Sequence, residues 1–329
     1  MKRLPSILFC LLFLFALVRG EAAPVPVSGT PLYEAYASIK FHVRAMPEDS
    51  GRRLKEVERG QQVSVYSYGG DWCCISYGGV TGYGKTKWLY RFRSLDPYQA
   101  AVPGATVMGG IGRVTAPIHI AVKGYGGNAL LPDDLLAVSI KADATAVVPM
   151  MRSSTSLPQG GLAYVPFVPW DQAEPGDVIG GFTTFYNEST GGRKLAANRR
   201  YNIDLACQRI SGTVTAPGAL FSYNALCGPS TKANGYKLAP NISRDGVGYG
   251  GGICQLCTTI YNAALALPLQ IMEWSLHRDA GVAYIPKGFD AAVGSYSDFT
   301  FENTLPYPIK MTALPQNGVL TVIIARDPG

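Results

Sequence analysis

Residues Gly248–Pro268 read GYGGGICQLCTTIYNAALALP. From Ile253 onward, Ile253, Leu256, Cys257, Ile260, Tyr261, Ala264 and Leu265 fall at i, i+3, i+4, i+7, i+8, i+11 and i+12. That is one apolar stripe of a helix, the side a core would cover. Three glycines stand directly before it. Packing does not readily account for three in a row, whereas a substrate carbonyl can approach a backbone that lacks side chains. Cys254 falls off the stripe, on the side of Thr258 and Asn262. It lies in the first turn, where N–H groups without helical partners carry positive partial charge. Such a position favours a thiolate. Cys254 is therefore a candidate nucleophile. The N–H groups of Gly250, Gly251, Gly252 and Cys254 form a candidate oxyanion hole, with Gln255 and Thr258 as candidate substrate-binding neighbours. Other readings stay open. Cys254 could be a buried thiol. Cys254 and Cys257 also make a C-x-x-C, a redox spacing, although no βαβ pattern precedes it and Cys257 faces the core.

A thiolate needs a base within reach. Of three histidines, only His277 lies in the same region, in EWSLHRDAGVAYIPKGFDAAV. A helix running to about Leu267 and a strand returning to about Trp274 would carry His277 back toward the helix start. Asp290 or Asp279 could then orient the imidazole, the third-member role. The plainer readings are a surface histidine after a strand and an aspartate satisfying a turn in GFDAA.

Around this centre the texture from Gly176 onward is mixed. NRRYNIDLACQRISG reads as a helix, with Ile203, Ala206, Cys207 and Ile210 at helical spacing and Gly212 closing it. TVTAPGALFSYN reads as a hairpin about Pro217-Gly218, and LQIMEWSLH as a strand. FTFENTLPYPIKMTALPQNGVLTVIIA reads as two or three strands turning at Pro306 and Asn317-Gly318. Helices and strands in this order predict an α+β domain over 177–329.

The preceding chain is β-rich. Residues 32–95 show short period-two runs broken by glycine turns, such as QQVSVYSYGGDWCCISYGG. Cys73 and Cys74 are adjacent, so their side chains point to opposite faces of a strand. Residues 96–176 carry valine-rich runs and predict a β-rich connector or small β domain. Within them SLPQGGLAYVPFVPWDQAEPGD holds too many prolines for a regular element and predicts an extended linker. His119 reads as structural.

Residues 1–22 look like a secretory leader. Lys2 and Arg3 precede an apolar run from Ile7 to Val18, and small residues at Gly20, Ala22 and Ala23 place cleavage near 20–23. A retained anchor is the alternative. No other apolar run reaches the ~18 residues of a membrane span. The expected product is secreted or periplasmic, peripheral to a membrane at most. Net charge is +6, and loss of the leader lowers it by two. With no clustered basic face, nucleic acid is not an expected partner. Six cysteines lie outside the leader, too few for a disulfide scaffold of this length. Cys207 and Cys227 could staple one region, though spacing alone does not fix the pairing. With no second C-x-x-C and no paired histidines, neither a metal nor a cofactor is expected.

Two resemblances extend this reading. The order His42-Val43-Arg44, then Gly60, Val63 and Val65, then DWCCISYGGVTGYGKTKWL resembles the bacterial SH3-like barrel. That implies a domain that binds wall peptides, docks, or acts as a spacer. NIDLACQRISGTVTAPGALFSYNALCGPSTKANGYKLAP, followed by GGGICQLCTTIYNAAL, LHR, YIPKGFDAAV and FENTLPYPI, resembles the VanW family over about 150 residues. Some VanW-type domains act as cysteine L,D-transpeptidases, which join peptidoglycan stem peptides through an acyl-enzyme. The resemblance then implies Cys254 as nucleophile and His277 as its partner. The family's GxDA-V corresponds to Gly288, Asp290, Ala291 and Val293. Cys257 stands where the family more often has serine. Cys207 and Cys227 replace small or aliphatic residues, which supports a disulfide between them. The middle region does not match the peptidoglycan-binding-like modules that often precede VanW domains. The alternatives to a transpeptidase are a non-catalytic wall-binding or assembly factor and a thiol redox protein. Oligomeric state is not legible.

Overall fold

A computed structural model describes residues 31, 33–66, 72–94, 109–122, 125, 129–140, 146–148, 155–157, 161–242, 246–277, 282–285 and 289–329. The expected leader lies outside these residues. Among the described residues no helix is long and apolar enough to cross a membrane.

The first sheet holds β1 (Tyr33–Ala37), β2 (Phe41–Arg44), β3 (Arg53–Val57), β4 (Gln62–Val65), β5 (Trp72–Tyr77), β6 (Val80–Lys85) and β7 (Leu89–Ser94), in the order β3-β2-β6-β5-β4-β1-β7. Its strands alternate in burial, as in Phe41 and Val43 of β2, so one face covers a core. The pairing leaves β3 and β7 as edges. Among the described residues it is a seven-stranded sheet whose hydrogen bonding does not close a barrel.

Next come β8 (Gly109–Val114), β9 (Ile118–His119), β10 (Ala129–Leu130), β11 (Leu135–Ile140), β12 (Ala146–Val148), β13 (Thr155–Leu157) and β14 (Leu162–Pro166). Five of them form a sheet in the order β13-β12-β11-β8-β14. The proline-rich stretch expected as a linker therefore contains the end of β13 and the whole of β14. Its strand β14 lies at the sheet edge, the one place where Pro166 removes no needed ladder bond. His119 of β9 is exposed.

The C-terminal region opens with β15 (Val178–Phe185), α1 (Gly192–Ile210), β16 (Val214–Thr215), β17 (Leu220–Ser222) and the short α2 (Tyr223–Cys227). It continues with β18 (Leu238–Pro240), β19 (Val247–Tyr249), α3 (Ile253–Leu265), β20 (Gln270–Glu273), β21 (Thr300–Glu302), β22 (Ile309–Gln316) and β23 (Val319–Arg326). Two sheets result, β15-β23-β22-β16 and β17-β21-β20, beside the two-stranded β18-β19. The expected hairpin at Pro217-Gly218 is a crossing instead. Strand β16 pairs with β22 and β17 with β21, so the turn sends the chain from one sheet to the other. The Asn317-Gly318 turn does join β22 to β23, both residues having positive φ (49° and 75°), as a tight two-residue hairpin demands.

Helix α3 sits at the centre, packed on β15, β23 and α1. Its periodicity predicted one buried stripe, yet every residue of the helix except Cys254 is buried. The polar residues of the second face are tolerated because each is hydrogen-bonded. Thr259 Oγ1 bonds Gln255 O at 2.7 Å and Thr184 Oγ1 at 2.8 Å. Asn262 Nδ2 donates to Thr258 O and Phe289 O, both at 2.8 Å.

Candidate functional site

The one unburied residue of α3 is the candidate nucleophile. Cys254 lies in the first turn and lines a cleft of about 840 Å³, a size that accommodates a small peptide. Its sulfur lies 3.5 Å from Val293 O and close enough to the His277 side chain to raise the pKa of the imidazole.

His277 reaches this point as expected, from the extended chain that follows β20. Its Nδ1 lies 2.7 Å from Asp290 Oδ2, and the same carboxylate oxygen accepts the His277 backbone N–H at 2.7 Å. The carboxylate therefore holds a proton on Nδ1 and leaves Nε2 for the sulfur. Burial pulls the imidazole pKa down. Hydrogen bonds to Asp290 and Cys254, with the charges on both, outweigh it and raise the pKa to about 9. His277 is thus an imidazolium at neutral pH. Asp279, the other aspartate considered from sequence, lies outside the described residues.

Asp290 is buried and rides on a strip of chain braced from two sides. Thr258 Oγ1 donates to Ala291 O at 3.2 Å and accepts Ala291 N–H at 2.9 Å. From the other side Trp274 Nε1 donates to Asp290 O and Ala292 N–H to Ser275 O, each at 2.8 Å. Thr258, expected to touch substrate, is fully buried and positions the aspartate instead. Gln255 is likewise a brace. Its amide nitrogen donates to Thr184 Oγ1 at 3.1 Å and Phe185 O at 2.9 Å, and its oxygen accepts from Arg199 at 2.8 Å.

The three glycines prove to have packing causes of their own. Gly250 and Gly252 adopt positive φ of 73° and 107°, conformations that favour glycine. A Cβ on Gly251 would lie 2.4 Å from Pro240 O and 2.6 Å from Ala239 O, so strand β18 runs directly against it. Asn202 of α1 locks this contact, donating to Gly251 O at 3.2 Å and Lys237 O at 2.9 Å. The turn also spends N–H groups unevenly. Ile253 N–H goes to Gly250 O and Gln255 N–H to Gly252 O. Among the described residues the Cys254 N–H has no backbone acceptor, which leaves it free for an oxyanion beside the sulfur.

The remaining cysteines are quiet. Cys257 is fully buried, and burial pushes its thiol pKa well up, the opposite of what thiol exchange needs. Cys207 and Cys227, considered as a disulfide, are free thiols on α1 and α2. Burial raises both, Cys227 to about 11. Among the described residues no group of side chains could hold a metal ion.

Two cleft residues were not picked out from sequence. Tyr284 is raised by burial, then by the charge on Cys254, while a hydrogen bond to Thr258 lowers it. Nothing local marks it. Arg199 did leave a signal. It stands four residues before Ile203 and so extends the apolar stripe of α1, a charge on a face meant for the core. Its guanidinium stacks over the Tyr186 ring at 5.4 Å.

The region that carries this site is similar to known proteins. The model described as VanW like protein matches residues 198–325, a span that takes in Arg199, Cys254, His277 and Asp290. The chain is similar to an uncharacterized protein, YoaR, of Bacillus subtilis (strain 168), with 34% identity over 149 residues. That match covers 44% of this chain and 47% of YoaR, so the chain spans about half the length of the curated relative. No solved structure matches.

Proposed function

We propose that the VanW-like region is a cysteine acyltransferase of the L,D-transpeptidase type, acting on peptidoglycan stem peptides in the cell envelope. The observation that carries this reading is the chain of contacts Cys254–His277–Asp290 at the mouth of a peptide-sized cleft. In the reacting form the Cys254 proton resides on His277, and the resulting thiolate attacks a peptide carbonyl carbon, forming a C–S bond. The developing oxyanion is met by the Cys254 N–H at the start of α3. His277, already an imidazolium, gives its proton to the leaving amine as the C–N bond breaks. An acceptor amine then attacks the thioester. Neutral His277 takes the proton from that amine, and the thiolate departs.

In this reading the first sheet is an SH3-like wall-docking module, and residues 1–22 direct the chain out of the cytoplasm. A redox role is disfavoured by the burial of Cys257. The test is incubation of the mature protein with disaccharide-tetrapeptide, followed by intact mass measurement. A thioester adduct on wild type and none on Cys254→Ala is expected. Binding of sacculi without any adduct, unchanged by Cys254→Ala, would leave a non-catalytic wall-binding factor in place of the enzyme.

A further inference from the structure

Arg199 is half-buried in the wall of the Cys254 cleft, and among the described residues it has no carboxylate partner. One of its terminal nitrogens donates to Gln255 Oε1 at 2.8 Å. The other, Nη1, is buried and has no hydrogen-bond partner among the described residues. The stack on Tyr186 holds the plane of the guanidinium but accepts none of its in-plane hydrogens. Burial lowers its pKa, and only the neighbouring tyrosines, Tyr284 and Tyr186, oppose that. A buried donor left unused on a cation is costly to a fold unless something completes it. Guanidinium geometry matches a carboxylate, which it grips through two parallel N–H bonds.

Position says which carboxylate. Gln255, which Arg199 grips, is the residue next to Cys254. Arg199, Gln255 and Cys254 all line the same cleft. A peptide residue spans roughly 3.5 Å, so a carboxylate held by Arg199 belongs to a group close along the chain from the carbonyl that Cys254 attacks. Ile242 and Tyr249, both exposed, also line the cleft and offer an apolar surface suited to the body of the peptide.

We propose that Arg199 anchors the free C-terminal carboxylate of the donor peptide, so that the cleft selects peptides that end close beyond the attacked carbonyl. The assignment of a peptide rests on the acyl-transfer reading. The anchor itself is tested by binding, which needs no chemistry.

The experiment titrates full-length mature Cys254→Ala protein calorimetrically with three ligands. These are disaccharide-tetrapeptide, its C-terminal carboxamide, and a form amidated only at its internal carboxyl groups. The carboxamide should bind at least about 10-fold more weakly, and internal amidation should change little. Adding Arg199→Gln should abolish the preference, whereas Arg199→Lys, which keeps the charge but not the fork, should retain part of it. If Arg199→Gln fails to fold by circular dichroism, Arg199→Lys carries the comparison. Equal binding of acid and amide, a preference that survives in Arg199→Gln, a preference set by the internal carboxyls, or no binding at all would overturn the proposal. The two readings fail separately. A thioester on wild type without any terminal-carboxylate preference removes the anchor and keeps the chemistry. An Arg199-dependent preference without a thioester keeps the anchor and removes the chemistry.

Discussion

His277 holds its proton at neutral pH because the stabilisation it gains from Asp290 and Cys254 exceeds what burial takes away. Its folded pKa of about 9 stands above the ordinary 6.5. The resulting stability is therefore fully present below about pH 6.5 and is lost as pH rises through 9. Acylation should show an alkaline limb near the same pH, belonging to the coupled pair rather than to one residue. Asp290→Asn removes the carboxylate that holds the proton on Nδ1. The limb should then move to lower pH by a unit or more, and the rate should fall by about 10²–10⁴-fold. A pH–rate profile of thioester formation on both proteins checks this. An unmoved limb would mean that Asp290 serves only the fold. At this scale the candidate cysteine and its neighbouring histidine were legible, since a cysteine off the helix stripe and one histidine in the region left few choices. Arg199 was legible in principle as a charge on an apolar stripe. Tyr284 was not, because only tertiary contact places it beside the sulfur.

Helix α3 does two jobs with one turn. Its N-terminus presents Cys254, and its buried body holds the strip that carries Asp290. The joint between them is Gly251 against β18. Gly251→Ala would drive a methyl into Pro240 O and Ala239 O, and both contacts are backbone. Overpacking of this kind costs about 1–3 kcal/mol, measurable by urea denaturation, and it should lower thioester formation by displacing Cys254. The strip depends on Thr258, whose hydroxyl satisfies both the N–H and the C=O of Ala291. Thr258→Val keeps the shape and leaves those groups unpaired, so a loss of about 1–3 kcal/mol is expected. A thermal melt at pH 6 would reveal it, and an unchanged melt would contradict the bracing role. The helix was readable because its period is a local property. Its second buried face was not, because covering it requires β15 and the strip at 289–293, distant in sequence.

Across the whole chain the middle sheet docks on the C-terminal sheet through a buried relay. Ala137 N–H donates to Thr183 Oγ1 at 2.8 Å, Thr183 Oγ1 bonds Thr321 Oγ1 at 2.7 Å, and Thr321 Oγ1 donates to Leu135 O at 2.6 Å. Each hydroxyl is satisfied only while its neighbour is present. The double substitution Thr183→Val with Thr321→Val strands the Ala137 N–H and the Leu135 carbonyl. It should destabilise the chain by about 2–4 kcal/mol, seen as a lower urea midpoint. Each single change should cost more than half of that, a departure from additivity that a double-mutant cycle would detect.

Sequence alone settled the α+β character of the C-terminal region, the helix from Ile253, the Asn317-Gly318 turn and the likeness to VanW proteins. All of these rest on spacing and residue type within a few neighbours. Among the described residues, tertiary structure alone decided four things: that the hydrogen bonding of the first sheet does not close a barrel, that β16 and β17 enter different sheets, that Gln255 and Thr258 brace the site, and that Arg199 keeps one donor unused in its wall. Those outcomes depend on which surfaces meet across tens of residues of chain. Burial and hydrogen-bond completion govern that choice, and neither is written in local periodicity.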